Sequence, residues 1–220
     1  MADCVLHTII LLKHWDAEKE KYCLSNQILL MDNNFENIIK KQLSMAMCRE
    51  NLNNVPQFPL LSKISIRPFQ AGDDKTWLNI QIAADRYSTF APHSFYEIFG
   101  KDVSLLKKRV RFLTDSENNP IGTASAWFWD LEGQHYGLIH WVAIIPEWRG
   151  RGVAKPLMST ICNLLKELGH DKAILYTHSM RYPAIKLYYR FGFVPLIRNK
   201  KEQIAWDVIL EKIKSDYRVQ

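Results

Sequence analysis

The feature that most constrains this chain is a glycine-rich turn between an apolar run and an amphipathic segment. The run from Trp141 to Pro146 carries no charge and is rich in β-branched residues, and a proline ends a sheet ladder because it lacks an N–H donor. Apolar residues then recur every three or four positions as far as Leu168, and Gly169 is a C-terminal helix signal. The sequence therefore predicts a buried strand, a short turn and a helix.

The turn, residues 149–152, consists of two arginines and two glycines. The first N–H groups of a helix lack intrahelical partners and carry partial positive charge, so they can hold an anion. Glycine lets a ligand approach the backbone closely. Each exposed contact of this kind contributes only about 0.3–1 kcal/mol, but a diphosphate that meets several N–H groups and an arginine gathers several contacts. The pattern predicts a phosphate site.

Two common nucleotide motifs are absent from this turn. The dinucleotide fingerprint G-x-G-x-x-G fails because position 155 is a lysine, and the loop G-x-x-x-x-G-K-[ST] does not occur. The pattern that does occur is Arg149-x-x-Gly152-x-Ala154. It resembles the R/Q-x-x-G-x-G/A signature of the GNAT superfamily of N-acetyltransferases, whose members bind the diphosphate of acetyl-coenzyme A at this turn.

Two further segments extend the resemblance. Residues 142–146 resemble the family's strand before the turn, and residues 184–193 are similar to its A-x-x-L-Y-x-x-x-G-F segment. Together the three segments cover roughly residues 64–210, in the family's order. The resemblance implies an α/β (α+β) GNAT fold, in which helices flank a mixed central sheet of about seven strands.

The remaining organisation follows from composition and periodicity. Residues 51–59 are rich in asparagine and proline and predict an irregular linker, whereas residues 34–47 have helical spacing. We therefore expect a helical N-terminal extension with its linker, residues 1–61, and an acetyltransferase domain, residues 62–220. A late start at Met31 or Met45 is an alternative.

Within the domain the patterns predict an ordered series of strands and helices. They are a strand over 63–69, helices over 75–87 and 94–100, a hairpin of 109–114 with 120–129, the strand and helix around the glycine turn, a strand over 172–177, a helix over 182–191 and a closing hairpin of 193–197 with 203–210.

Composition excludes several classes of partner. The longest early apolar run, residues 4–12, is too short to span a bilayer and lacks the flanks of a signal peptide, so we expect a cytoplasmic protein without a membrane partner. A net charge of +6 permits an anionic ligand, but the cations fall into separate clusters without a nucleic-acid motif. We expect no nucleic-acid partner, and a monomer or homodimer.

A metal site is not expected. The possible ligands at the N-terminus have a spacing that matches no common zinc finger. They are Cys4, His7, His14 and Cys23.

Acetyl transfer to an amine needs an acid and a base. An amine with a pKa of about 10.4 is neutral only about once in 2,500 molecules at pH 7, and a thiolate must leave. Tyr188 matches the family tyrosine near the coenzyme sulfur and is the candidate acid. His140 matches a strand histidine of arylalkylamine N-acetyltransferases and is the candidate base. Alternation along a strand puts it opposite Trp141 and on the face of Val142.

The alternatives to His140 as the base are Glu97, Asp130, His178 or a water chain.

The resemblance also implies the binding residues. Arg181 stands where many relatives have an asparagine that contacts pantetheine. The expected coenzyme contacts are Val142, Ala143, Ile144, Arg149, Gly150, Arg151, Gly152, Val153, Ala154, Lys155 and Arg181. The candidate acceptor contacts are Tyr87, Tyr96, Glu97, Trp127 and Trp129.

The resemblance therefore implies an acetyl-CoA-dependent N-acetyltransferase. Acetyl-CoA is the co-substrate, no metal takes part, and the acetyl group passes directly to a primary amine, a small molecule rather than a protein, in a ternary complex. The alternative is a catalytically silent module that binds acyl-CoA as a sensor or partner protein.

Overall fold

A computed structural model describes residues 34–218 of the chain. Its elements, in order, are α1 (residues 34–40), β1 (Ser44–Arg49), β2 (Ser65–Pro68), α2 (Asp73–Ala84), α3 (Ser94–Phe99), α4 (Val103–Arg109), β3 (Val110–Thr114), β4 (Pro120–Leu131), β5 (Gln134–Ile144), a 3₁₀ turn (Pro146–Trp148), α5 (Ala154–Glu167), β6 (Ala173–His178), α6 (Tyr182–Arg190), β7 (Val194–Leu196) and α7 (Lys200–Arg218). The cysteines and histidines considered as zinc ligands lie outside the described residues.

The seven strands form one mixed sheet in the order β2-β3-β4-β5-β6-β1-β7. Neighbouring strands are antiparallel except β5 and β6, which are parallel. The predicted mixed sheet of about seven strands with flanking helices is therefore confirmed. Within residues 34–218, no helix has the length and hydropathy needed to cross a bilayer.

Helices cover the two faces of the sheet and form separate cores. Helices α1, α5, α6 and α7 bury apolar side chains on one face, which we call the coenzyme face, with Leu157, Ile185 and Trp206 in its core. Helices α2, α3 and α4 pack on the other, the acceptor face, around Trp77 and Phe99. Each core removes large apolar side chains from water, which is the main driving force for this arrangement.

The helix predicted over residues 34–47 ends at residue 40. Ser44–Arg49 is strand β1, which lies between β6 and β7 in the sheet. The four residues from Met45 to Cys48 are all at most 1% exposed, so the strand is covered on both faces. A short apolar run of this kind cannot be distinguished from a buried helix by periodicity. The division at residues 61 and 62 stays a prediction, and β1 shows that the sheet begins before it.

The predicted closing hairpin is half right. Val194–Leu196 is a strand, but the residues predicted as its partner, 203–210, belong to helix α7. Asn199 and Glu202 form a reciprocal cap: the Asn199 side chain accepts from the Glu202 N–H, and its amide donates to the Glu202 carboxylate. Trp206, Ile209 and Ile213 are buried at helical spacing. The sheet position beside β7 is occupied by β1 instead.

Candidate active site

Strands β5 and β6 separate toward the glycine turn. Their parallel pairing runs from Gly137 opposite Ala173 to Ile139 opposite Leu175. Both strands are described beyond this point, β5 as far as Ile144 and β6 as far as His178, but no further pairs join them. The sheet therefore opens into a split between neighbouring strands at the end where the turn begins.

A β-bulge lies where this split starts. Ser125 of β4 pairs with His140 and Thr123 pairs with Ala143, so two residues of β5, Trp141 and Val142, oppose a single residue of β4. Trp141 has a φ of 51°, which is rare for a residue with a side chain. A bulge bends the strand that carries it and increases its twist. It accounts for the departure of β5 from β6.

Because of the bulge, the orientation of His140 differs from the predicted one. The His140 ring lies 5.6 Å from the Trp141 ring and 5.8 Å from that of Phe99, between ring centroids, so His140 and Trp141 share the acceptor face. Val142 packs into the core of the coenzyme face. The prediction that His140 points away from Trp141 and with Val142 is wrong, because the extra residue breaks the two-residue alternation.

The surroundings of His140 determine its protonation. Burial lowers the pKa of the His140 imidazole to about 4, because the charged form loses its hydration. His140 is therefore neutral at pH 7 and can accept a hydrogen bond. It is a weaker base than an ordinary histidine with a pKa of about 6.5.

Tyr188 lies on the opposite face of the sheet from His140. It lies on α6, is 7% exposed and belongs to the core of the coenzyme face. Burial raises the pKa of the Tyr188 phenol to about 12, and the positive charge of Arg181 opposes the rise. The phenol therefore holds its proton at neutral pH and is a weaker acid than an ordinary tyrosine with a pKa of about 10.

The glycine turn faces open space. Gly150 and Gly152 have φ values of 73° and 82°, and a Cβ built on either would meet no atom within 4 Å. No side chain caps the start of α5, where Val153 is the N-cap. The positive φ explains why glycine is needed, and the open space in front leaves room for an anion beside the uncapped N–H groups.

The basic side chains around the turn have different partners. Arg149 donates from Nε to the Ile144 carbonyl oxygen at 3.1 Å and from Nη2 to that of Ala84, so it ties the turn to the end of α2. The Arg151 guanidinium lies 5.0 Å from the centre of the Trp148 ring, and the Lys155 ammonium lies 5.5 Å from that of Phe58.

Arg181 connects the helices on the two faces of the sheet. It forms an ion pair with Asp85, which follows α2, whereas Arg181 itself precedes α6. Burial would raise the pKa of the Asp85 carboxyl, but hydrogen bonds from Ser88 and the Tyr87 N–H and the charge of Arg181 together lower it. No local sequence pattern indicates this pair, because its members are far apart in the chain.

His178, one of the alternative bases, lies at the end of β6 beside this ion pair. Burial and the charge of Arg181 lower the pKa of its imidazole, and Asp85 opposes the shift. Its Nδ1 atom is buried and has no hydrogen-bond partner among residues 34–218.

The candidate acceptor contacts do not form one group. Trp127 lies beside Phe99, with ring centroids 5.1 Å apart, and so joins the cluster around His140. Tyr96 packs on Phe95, Tyr87 is 46% exposed next to Arg86, and Glu97 pairs with His93 on the surface. Trp129 is 47% exposed and meets Tyr176 of β6 edge to face, an aromatic neighbour that the sequence did not indicate.

The fold and the site define an acetyltransferase architecture, and a family comparison agrees. Residues 77–193, more than half of the chain, match the family described as "Acetyltransferase (GNAT) family". The chain therefore belongs to the GNAT acetyltransferase family.

Two curated relatives and one solved structure add detail. The chain is 34% identical over 90 residues to a mycothiol acetyltransferase of Corynebacterium aurimucosum, covering 38% of this chain and 30% of the relative. It is 28% identical over 151 residues to that of Pseudarthrobacter chlorophenolicus, covering 64% and 45%. The chain thus spans less than half the length of either relative. A GCN5-related N-acetyltransferase from Sphaerobacter thermophilus shares the fold, with a TM-score of 0.56, 19% identity and coverage of 70% of this chain and 48% of that one.

Proposed function

We propose that the chain is an acetyl-CoA-dependent N-acetyltransferase that acetylates a primary amine of a small molecule by direct transfer in a ternary complex. The observation that carries this proposal is the coincidence of two features at one end of β5. The strand parts from β6 there, and it leads into an uncapped, glycine-lined helix start. A diphosphate at the turn and a thioester arm in the split would match both features.

The family and the curated relatives support the nature of the reaction. The family is one of acetyltransferases, and the relatives are named for acetyl transfer involving mycothiol, a small molecule. The coenzyme lies, in our proposal, along the backbone of residues 142–144 and against the main chain of residues 150–155, with Arg149 holding the turn. Acetyl-CoA supplies the activated acetyl group.

Side chains of the protein take part in the proton transfers of the reaction. The amine nitrogen bonds to the thioester carbonyl carbon, and the bond from carbon to sulfur breaks. Tyr188 donates its phenolic proton to the leaving sulfur, and the proton that the amine nitrogen loses as the amide forms restores the phenol, whose pKa of about 12 favours its protonated form.

The amine must lose its own proton for the transfer to occur. Deprotonating an amine of pKa 10.4 at pH 7 costs about 4.6 kcal/mol. The ammonium proton goes to solvent water, and the neutral His140 imidazole, which with a pKa of about 4 holds no proton at pH 7, accepts a hydrogen bond from the uncharged amine and orients its nitrogen. Trp127 and the rings beside it form the wall of the acceptor site. We further propose a cytoplasmic monomer or homodimer that needs no metal.

Replacement of Tyr188 tests the proposal. Coenzyme A binding is measured by calorimetry, and turnover is measured as thiol release from acetyl-CoA with a panel of amines. Tyr188→Phe should lower kcat about a hundredfold or more and leave the Kd for coenzyme A within about twofold, because only the proton is removed. Tyr189→Phe, the neighbouring tyrosine, is the matched control and should change neither.

The outcomes separate the proposal from its alternative. A chain that binds coenzyme A but releases no thiol with any amine is the silent binding module. A chain that does not bind coenzyme A refutes the site itself.

A further inference from the structure

We propose that Phe58 and Lys155 form a subsite for the 3′-phosphoadenosine end of coenzyme A. The inference rests on the proposed function, because it assumes that the diphosphate of the coenzyme binds at the glycine turn. It assigns a ligand contact to the stretch of residues 51–59, which the sequence suggested to be only a linker.

Hydrogen bonds hold this stretch against α5. The Phe58 N–H donates to Ser159 Oγ at 3.0 Å, and Ser159 Oγ donates to the Pro56 carbonyl oxygen at 2.9 Å. The side-chain amides of Gln57 and Asn163 exchange two further hydrogen bonds, at 3.1 and 2.8 Å. Because Ser159 is only 4% exposed, the backbone at Phe58 is anchored to the interior of the helix face.

The same helix face leads to the glycine turn. Lys155 is the second residue of α5 and lies one helical turn before Ser159, so both side chains are on one side of the helix. The Lys155 ammonium lies 5.5 Å from the centre of the Phe58 ring. An aromatic ring and a cation therefore stand together beside the start of α5.

The Phe58 ring keeps accessible surface in this position. It packs on one side against Phe191, with centroids 5.6 Å apart, and it is only partly buried. An aromatic ring that is fixed by its backbone and half covered by the core can stack against a planar base without losing much conformational freedom.

The chemistry of coenzyme A matches this pair. The adenosine carries a 3′-phosphate and is attached directly to the diphosphate, so it lies next to whatever holds the diphosphate. Stacking of a base on an aromatic side chain contributes about fivefold to a hundredfold in affinity. The ammonium of Lys155 can leave the ring to pair with the 3′-phosphate, because a lysine side chain is flexible.

Coenzyme A and two of its fragments distinguish the contributions of Phe58 and Lys155 to the subsite. Calorimetry compares coenzyme A, 3′-dephospho-coenzyme A, which lacks the extra phosphate, and 4′-phosphopantetheine, which lacks the whole nucleotide. Phe58→Leu, which keeps an apolar side chain, should lower the affinity for coenzyme A and for 3′-dephospho-coenzyme A at least fivefold. It should leave the affinity for 4′-phosphopantetheine unchanged. Lys155→Met should lower only the affinity for coenzyme A, by about threefold to tenfold.

A control variant and the contrary outcomes complete the test. Leu60→Ala, an exposed change close to Phe58, should leave all three affinities unchanged. The subsite is refuted if Phe58→Leu weakens 4′-phosphopantetheine as much as coenzyme A, or if the unmodified chain binds these two ligands equally. If the unmodified chain binds none of the three probes, the proposed function fails and the subsite with it.

Discussion

The glycine turn can be tested by a pair of substitutions that have the same backbone strain and different consequences for binding. Gly152 and Gly169 have nearly equal φ values, 82° and 85°, and a Cβ on either would meet no atom within 4 Å. Alanine at either position should therefore cost only the penalty of a left-handed backbone, about 1–2 kcal/mol. For a chain of this size that lowers Tm by roughly 2–8 °C.

Binding should separate the two variants. The Cβ of Gly152→Ala projects into the space in front of the helix start, where we place the diphosphate, whereas Gly169 follows the other end of α5. We expect at least a tenfold loss of coenzyme A affinity for Gly152→Ala, about 1.4 kcal/mol, and less than a twofold change for Gly169→Ala.

Aspartate at position 152 strengthens the test. Two unit charges 4 Å apart near a protein surface repel by about 4 kcal/mol, so Gly152→Asp should reduce the affinity about a thousandfold. Calorimetric titration with coenzyme A at low salt measures all three variants, and thermal unfolding verifies that the alanine variants lose similar stability. Equal affinities for Gly152→Ala and Gly169→Ala would refute the placement of the diphosphate.

Three other expectations follow from the structure. Burial lowers the pKa of His140 from 6.5 to about 4, so unfolding takes up a proton and stability should fall by up to about 3 kcal/mol as the pH drops from about 6.5 to 4. In denaturant titrations, the free energy of unfolding of His140→Gln should fall less over this pH range than that of the unmodified chain. An equal fall would contradict the lowered pKa of His140. Asp85→Asn, which removes the charge paired with Arg181, should cost about 1 kcal/mol at pH 7. The folded pKa of Asp85 is lowered, so this difference should shrink as the pH falls from 3.8 through the folded pKa, and a difference that does not change with pH would exclude the ion pair as its cause. A fragment of residues 62–220 lacks β1 and should show no cooperative thermal unfolding, whereas residues 34–220 retain the sheet; a cooperative transition in the shorter fragment would show that β1 is dispensable.

The sequence predicted the elements whose signals are local. The strand before the turn, the amphipathic α5 and the glycine that follows its end each depend on neighbouring residues, and the structure has all of them. Helix α4 was not predicted, although Asp102 accepts hydrogen bonds from two N–H groups of its first turn and is a recognisable N-cap. It was missed because the helix has only seven residues and ends directly in β3.

The sequence could not predict features that depend on distant partners. The bulge at Trp141 is a relation between β4 and β5, and no local pattern indicates an unpaired residue in an apolar strand. For this reason His140 was assigned to the wrong face. The pair of Asp85 with Arg181 joins positions 96 residues apart, and the buried His140 ring, whose pKa is lowered, lies against Phe99 of α3, 41 positions before it in the chain. Only the folded chain defines these surroundings.

The position of β1 links the N-terminal part of the chain to the candidate coenzyme site. Strand β1 pairs with β6 and β7, and the chain then leaves the sheet through Leu52, whose N–H donates to the Asp171 carbonyl oxygen ahead of β6. It continues along α5 to Phe58. The same short stretch thus completes the sheet next to the split and lies against the helix that begins at the glycine turn. Loosening β1 would disturb both, so residues 44–59 function with the domain that follows them.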